Sequence, residues 1–267
     1  MSIETLIVTI DRIDGNLVEK MNVQTDAVVG NQCVENSVWD FYKNGRKAVF
    51  YNTTERGVGK NRNVVLKNAQ ADICVFGDDD MTFLDGYPET AYKAFSECPD
   101  GDVIIFNLVE KEPRRYINRK KKRIHKYNYA KYGAARMAIR RQNIIDSGIS
   151  FSTEFGGGSV YGAGEDTIFL KDCLDRGLKV FAVPYALAEI NQQATSTWFS
   201  GYNEKYFFDS GALYARLYPH LWELFCVRFL LRHRKKYKGS ISFGTAFKSM
   251  YIGAKEYNAK RRTVVEI

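Results

Sequence analysis

Short apolar runs alternate with stretches of helical spacing along most of the chain. Residues 6–10, 27–30, 47–51, 73–76, 102–107, 134–140 and 178–183 have strand length and strand composition, the last of them closed by Pro184. Residues 13–21, 34–43, 59–68, 85–98, 142–147 and 204–218 carry apolar positions at helical spacing. A further helix opens at Glu165-Asp166, with Ile168, Phe169 and Cys173 on its inner face. This alternation predicts an α/β fold built on a doubly wound, mostly parallel sheet with right-handed crossovers. Beyond Pro219 the pattern changes. Residues 221–231 are apolar and aromatic, with Trp222, Phe225, Cys226 and Phe229 on one helical face, and Arg234, Lys235, Lys236 and Lys238 follow. The expected division is therefore a catalytic α/β unit over 1–218 and a basic, helical C-terminal appendage over 219–267.

Charge sharpens this division. The chain has a net charge of +8 over 267 residues, but it is unevenly spread. Residues 111–126 hold nine Lys/Arg against one acid, and residues 227–267 hold eleven against two, which leaves the remainder at −9. An acidic body with two basic segments predicts two local contacts with something anionic rather than a nucleic-acid footprint. An interfacial helix that meets anionic headgroups has the composition of the C-terminal segment, and so does a helix packed on the domain. At 45% hydrophobic and 26% charged residues the chain has globular composition. Cys33, Cys74, Cys98, Cys173 and Cys226 are scattered without a CxxC, as free thiols of a reducing compartment would be. The N-terminus lacks the basic and apolar regions of a signal peptide, and no run reaches the roughly 18 apolar residues of a membrane span. The expectation is a cytoplasmic protein.

Candidate chemistry concentrates at three places. The run Ile73-Cys74-Val75-Phe76 ends in Gly77 and three carboxylates, Asp78, Asp79 and Asp80. Like charges at a strand end repel one another, so a cation or full solvation must offset them. The carboxyl edge of a parallel sheet is also where ligands bind. Gly57-Val58-Gly59-Lys60-Asn61-Arg62-Asn63 runs from a glycine-containing loop into a helix whose N-terminus would face an anion, without the GK[ST] ending of a P-loop. Residues 156–164 carry five glycines before Glu165-Asp166, a pair that either serves a ligand or complements the helix dipole.

Together these elements resemble GT-A glycosyltransferases of the family 2 type, the bacterial polysaccharide and lipopolysaccharide sugar transferases. Gly57 to Asn63 resembles the family's helix start, Phe76-Gly77-Asp78-Asp79-Asp80 its strand-borne DxD element, and Gly164-Glu165-Asp166 its Glu-Asp motif, followed by a Gly-x-x-Val strand at Gly177 to Val180. The resemblance spans about residues 3–200. It implies a GT-A, Rossmann-like fold and an inverting transfer of a sugar from a nucleotide diphosphate, a UDP-sugar foremost, to a hydroxyl of a glycan or polyprenyl-diphosphate-linked acceptor, in surface polysaccharide synthesis. Asp80 and Asp78 would hold Mn²⁺ or Mg²⁺. Asp78, Asp79, Lys60, Arg62 and Asn31 would bind the donor, Asp166 would be the general base, and Glu165 its neighbour. Asn31 stands where the family usually carries an acid, and the His found beyond the Glu-Asp motif in many members is absent, with Asn191 or Gln192 in its neighbourhood and the third metal ligand unassigned. The implied location is the inner face of the cell membrane, peripherally bound to an anionic surface, and a homo-oligomer is compatible with it. Two alternatives stay open: a haloacid dehalogenase-type phosphohydrolase with Asp78 as nucleophile, and a nonenzymatic nucleic-acid-binding protein suggested by a pI near 9.1.

Overall fold

A computed structural model describes residues 1–112, 115–191 and 199–265; Gln192 and the rest of the polar segment 192–197 lie outside these. The elements are β1 (Ile3–Ile10), α1 (Asn16–Lys20), β2 (Asp26–Gln32), β3 (Ser37–Lys43), β4 (Arg46–Thr53), α2 (Val58–Asn68), β5 (Ile73–Asp78), β6 (Met81–Phe83), α3 (Tyr87–Glu97), β7 (Val103–Val109), β8 (Lys122–Ile124), β9 (Met137–Arg140), α4 (Arg141–Asp146), α5 (Glu165–Asp175), β10 (Val180–Ile190), α6 (Glu204–Leu217), α7 (Trp222–Tyr237) and α8 (Phe243–Val265). The sheet runs β3-β4-β2-β1-β5-β9-β7-β10-β6, with β8 beside β10. Its β4-β2-β1-β5 half is parallel. β9 runs antiparallel to both β5 and β7, so β7 points the same way as β5.

Successive residues of each central strand serve opposite layers. Ile7, Val29 and Val75 pack with Leu17, Tyr87 and Phe95 of α1 and α3, while Leu6, Val28 and Phe76 pack with Val65, Phe169 and Leu170 of α2 and α5. Strands buried on both faces are continuously apolar for this reason. A third core joins Phe207 of α6, Cys226 and Leu230 of α7 and Met250 of α8 to Phe155, Tyr161 and Ile168 beside the glycine-rich segment. Helix α6 thus shares its core with the two helices beyond residue 218. The contact between α6 and α8 is close enough to require glycine: a Cβ on Gly211 would lie 1.9 Å from the Met250 carbonyl oxygen, and one on Gly253 would lie 2.0 Å from that of Phe208.

Three segments differ from the expectation. Residues 34–43, expected as a helix, supply β3, an edge strand antiparallel to β4. Trp39 turns inward and stacks on Phe50 at 4.0 Å, whereas Val38 and Tyr42 face outward. Asn44 and Gly45, at φ 50° and 73°, close the hairpin with a two-residue turn of the kind that matches strand twist. Pro184 does not end its strand, because β10 shifts register between Ala182 and Ala186 and carries the missing donor in that irregularity. The segment 134–140 begins as a 3₁₀ turn at Ala134–Arg136 before β9.

Candidate active site

The three sequence landmarks meet at the carboxyl edge of the parallel strands, the ligand edge of open α/β sheets. Asp78 is the last residue of β5, and Asp79 and Asp80 form the turn into β6. Arg62, on the inner side of α2, is 4% exposed and reaches the other two landmarks: Nη2 donates to Asp78 Oδ1 at 3.0 Å, and Nη1 donates to Glu165 Oε1 at 2.7 Å and to Asp166 Oδ1 at 2.9 Å. The Phe151 ring lies 5.5 Å from the guanidinium. Burial opposes its charge, but Asp78, Asp166 and Glu165 outweigh that and keep it protonated.

One guanidinium facing three carboxylates leaves the cluster net negative. Burial and the adjacent Glu165 charge push the Asp166 carboxyl well above the ordinary range, against the pull of Arg62. Burial raises Glu165 as well, but the Arg62 charge and its hydrogen bonds win and hold that carboxyl low. The pair is thereby split into a group that stays ionised and a group that takes up protons readily, the pattern of distinct acid-base roles. Tight backbone surrounds it. A Cβ on Gly156, where φ is 108°, would stand 2.8 Å from Glu165 Oε2, and one on Gly133 would stand 3.0 Å from Asp166 Oδ2.

The remaining predicted residues take varied places. Lys60 is half-exposed, with Nζ 3.6 Å from Glu55. Two amides at the start of α2 are engaged by protein, Gly57 N–H by Gln32 Oε1 at 2.7 Å and Val58 N–H by the Gly157 carbonyl at 2.9 Å. A Cβ on Gly59 would lie 2.0 Å from the Ser152 carbonyl oxygen, so these glycines dock α2 against the 151–158 segment. Asn31 is fully buried: Oδ1 accepts from Arg12 N–H at 3.0 Å, and Nδ2 donates to the Arg12 carbonyl and to Asn52 Oδ1. It fixes the loop after β1. Asp79 accepts from Thr9 Oγ1 at 2.5 Å and lies 3.3 Å from Arg12 Nη2. Thr9 and Arg12 had no motif to mark them, and neither did Gly133.

Asp80 borders a cleft of about 180 Å³ that Arg12, Asp14, Lys20, Asp79 and Asn191 also line. Burial, then the charges of Asp78 and Asp79, push the Asp80 carboxyl above its usual range. Oxygen donors under mutual repulsion suit a hard divalent cation, so Asp80 and Asp78 fit such an ion. No larger metal-holding group of His, Cys, Asp or Glu occurs among the described residues.

The mostly parallel sheet with flanking helices, its strand-end carboxylate tied by a buried arginine to a Glu-Asp pair at a helix start, is a GT-A-like α/β fold. Residues 37–153 match glycosyl transferase family 2, which together with the fold supports a glycosyltransferase. Among solved structures, S. aureus TarS 1–349 in complex with UDP-GlcNAc is similar over 95% of this chain and 79% of its own, at 16% identity and a TM-score of 0.67. The same protein in complex with UDP matches over 91% of this chain and 76% of its own, at 15% identity and a TM-score of 0.58. S. aureus TarS in its longer form covers 91% of this chain and 46% of its own, at 15% identity and 0.60. No curated protein matches the chain in sequence. With a glycosyltransferase established, the phosphohydrolase and nucleic-acid readings are set aside.

Proposed function

We propose that the chain is an inverting, metal-dependent glycosyltransferase that moves a sugar from a UDP-sugar to a hydroxyl of a glycan or lipid-linked glycan. The observation that carries this is the convergence of Asp78, Glu165 and Asp166 on Arg62, which brings the strand-end carboxylates and the proton acceptor to one edge. The UDP-GlcNAc and UDP complexes of the structurally similar TarS support the donor class. Asp80, with Asp78, would hold Mn²⁺ or Mg²⁺, whose charge would offset that of the departing diphosphate. Asp79, fixed by Thr9 and Arg12, and half-exposed Lys60 line the donor side. Asp166 takes the proton of the attacking hydroxyl, its raised affinity for protons suiting it to that task. Arg62 holds Asp166 in place and keeps Glu165 ionised beside it. Attack from the face opposite the leaving group inverts the anomeric carbon.

The test is donor binding. At a UDP-sugar concentration of about 100 times Kd, with Mn²⁺, the parent gains about 2.7 kcal/mol of stability, seen as a rise in Tm. Asp80→Ala removes that rise. Its own ligand-free Tm stays level or increases, because a carboxyl whose affinity for protons is raised by folding destabilises the ionised state at neutral pH. An undiminished rise in Asp80→Ala refutes the metal assignment.

Peripheral attachment to an anionic leaflet belongs to the same proposal, with a different set of residues from those the sequence suggested. Trp222 and Cys226 are buried in the helical core, and Phe225 stacks on Tyr218 at 3.7 Å. Leu224 and Leu231 of α7, with Leu221 just before it, are exposed apolar residues beside exposed Arg228, Arg232, Arg234, Lys235 and Lys236. No helix among the described residues is long and apolar enough to cross a membrane. Truncation at residue 227 would remove buried Leu230, Tyr237 and Met250, so charge reversal is the cleaner test. Replacing Arg234, Lys235 and Lys236 by Glu will abolish sedimentation with phosphatidylglycerol vesicles, since each nearby basic residue contributes about 1 kcal/mol. Sedimentation with phosphatidylcholine vesicles to the same extent would overturn the attachment.

A further inference from the structure

A cluster of cationic side chains with two buried, unpartnered donors lies in the segment around Gly133, against Asp166. Lys122 Nζ lies 3.0 Å from the Tyr116 hydroxyl, and Lys131 Nζ sits 3.5 Å from the centre of the same ring. Arg136, 2% exposed, lies beside them: Nε donates to the Phe106 carbonyl at 2.7 Å, and Nη2 donates to the Tyr116 carbonyl at 2.8 Å and to Asn107 Oδ1 at 3.1 Å. Its Nη1 has no partner, and neither has the Nδ2 of Asn118, which is 1% exposed and accepts the Tyr132 hydroxyl at Oδ1. Among the described residues no carboxylate lies within ion-pair distance of Lys122, Lys131 or Arg136; Glu110, paired with Arg115, acts on Arg136 through its charge. Cations that crowd one another around a single ring, beside two buried donors lacking acceptors, form a site for a ligand rich in acceptor atoms. Crowding leaves its mark on Lys131, whose affinity for its proton is lowered by burial and by Lys122 and Arg136.

The cluster's position relates it to the reaction. Lys131 and Tyr132 immediately precede Gly133, whose Cα carries no side chain where Asp166 Oδ2 approaches. Two peptide units span at most about 8 Å, so the Lys131 backbone lies within that distance of the residue against the proton acceptor. Asp78, of the strand-end carboxylates, is held by the other guanidinium nitrogen of Arg62, Nη2, whereas Asp166 is held by Nη1. An anion held here is therefore attached to the molecule whose hydroxyl reacts.

We propose that the acceptor carries a phosphate or carboxylate group, and that Lys122 and Lys131, both against the Tyr116 ring, receive it beside Arg136 and Asn118. This rests on the transferase reading above, with Asp166 as proton acceptor. In this proposal the phosphate belongs to the acceptor itself; a lipid headgroup offers the same chemistry and is the competing source that the experiment separates.

Calorimetry of the full chain saturated with UDP and Mg²⁺ separates the cases, with glucose 1-phosphate as anionic probe and glucose as neutral control. The parent binds glucose 1-phosphate in preference to glucose. A Lys122→Gln/Lys131→Gln double variant, altered only in side chains that reach the surface, binds it about 100-fold more weakly, about tenfold for each charge-assisted hydrogen bond, with UDP affinity and Tm unchanged. Equal binding by parent and variant, or none by the parent, overturns the proposal. So does a patch that fails to bind glucose 1-phosphate but sediments with phosphatidylglycerol vesicles in a lysine-dependent way, which would assign it to a headgroup. Failure of the parent to bind UDP at all would instead refute the donor reading.

Discussion

An Arg62→Met variant will lose about 3–5 kcal/mol of stability at neutral pH, the cost of removing one partner from a buried ionic cluster. Methionine fits the apolar stem, but it leaves Asp78, Glu165 and Asp166 facing one another without a cation. Their shared guanidinium is 4% exposed, so solvent cannot replace it. The carboxylates of the variant will respond by binding protons more tightly than they do in the unfolded chain. A folded state that holds extra protons loses stability as pH rises from the unfolded carboxylate range into the raised one. The deficit will therefore be greatest near pH 7 and will shrink as the pH falls toward the unfolded carboxylate value of about 4. Chemical denaturation at a series of pH values measures this directly. A deficit independent of pH would mean that Arg62 contributes packing alone. Lysine will not substitute, since a single ammonium cannot reproduce the planar fork that serves three carboxylates from two nitrogens.

How much of this was legible in the sequence depends on the range over which each feature is decided. The central strands and the helices α2, α3 and α5 follow from local periodicity, because burial on both sheet faces leaves little freedom of composition. Strand β3 departs from the expected helix for a local reason: the inward alternation of Trp39 and Phe41 is short, and the apolar positions from Val34 onward also suit a helix. The Asn44-Gly45 turn was the signal that decides it. The site was legible as three motifs but not as a network. Arg62 lies 103 and 104 positions from Glu165 and Asp166, and nothing local shows that its charge is directed inward to carboxylates rather than outward to a phosphate. Asn31 is a similar case, placed at a ligand-facing position by motif order but engaged on both amide atoms by Arg12 and Asn52. In the C-terminal region composition suits a helix that meets anionic lipid as well as one packed on the domain. The choice falls to Gly211 and Gly253, which let α6 and α8 approach closely enough to complete the core that covers Trp222 and Cys226.

Asp166→Asn will bind the donor as the parent does and will turn over about 10²–10⁴-fold more slowly, the range for loss of a positioned general base. The amide keeps the shape of the carboxyl and an oxygen for Arg62 Nη1, which donates to Oδ1 at 2.9 Å, so the fold and the donor side are preserved. Proton acceptance is what disappears. The pH profile carries the stronger test, because the Asp166 carboxyl is pushed upward by burial and by Glu165. Activity of the parent should fall as the pH drops through that raised value, giving an acidic limb above the ordinary carboxylate range. In Asp166→Asn the residual rate should lack this limb, since the group that titrates has been replaced by one that does not. Glu165→Gln provides the contrast: removing the adjacent negative charge lets Asp166 ionise more easily, so the limb moves toward lower pH while persisting. Single-turnover rates for the three proteins at saturating donor, with the natural acceptor, separate these outcomes. An acidic limb retained in Asp166→Asn but abolished in Glu165→Gln would transfer the role of base to Glu165.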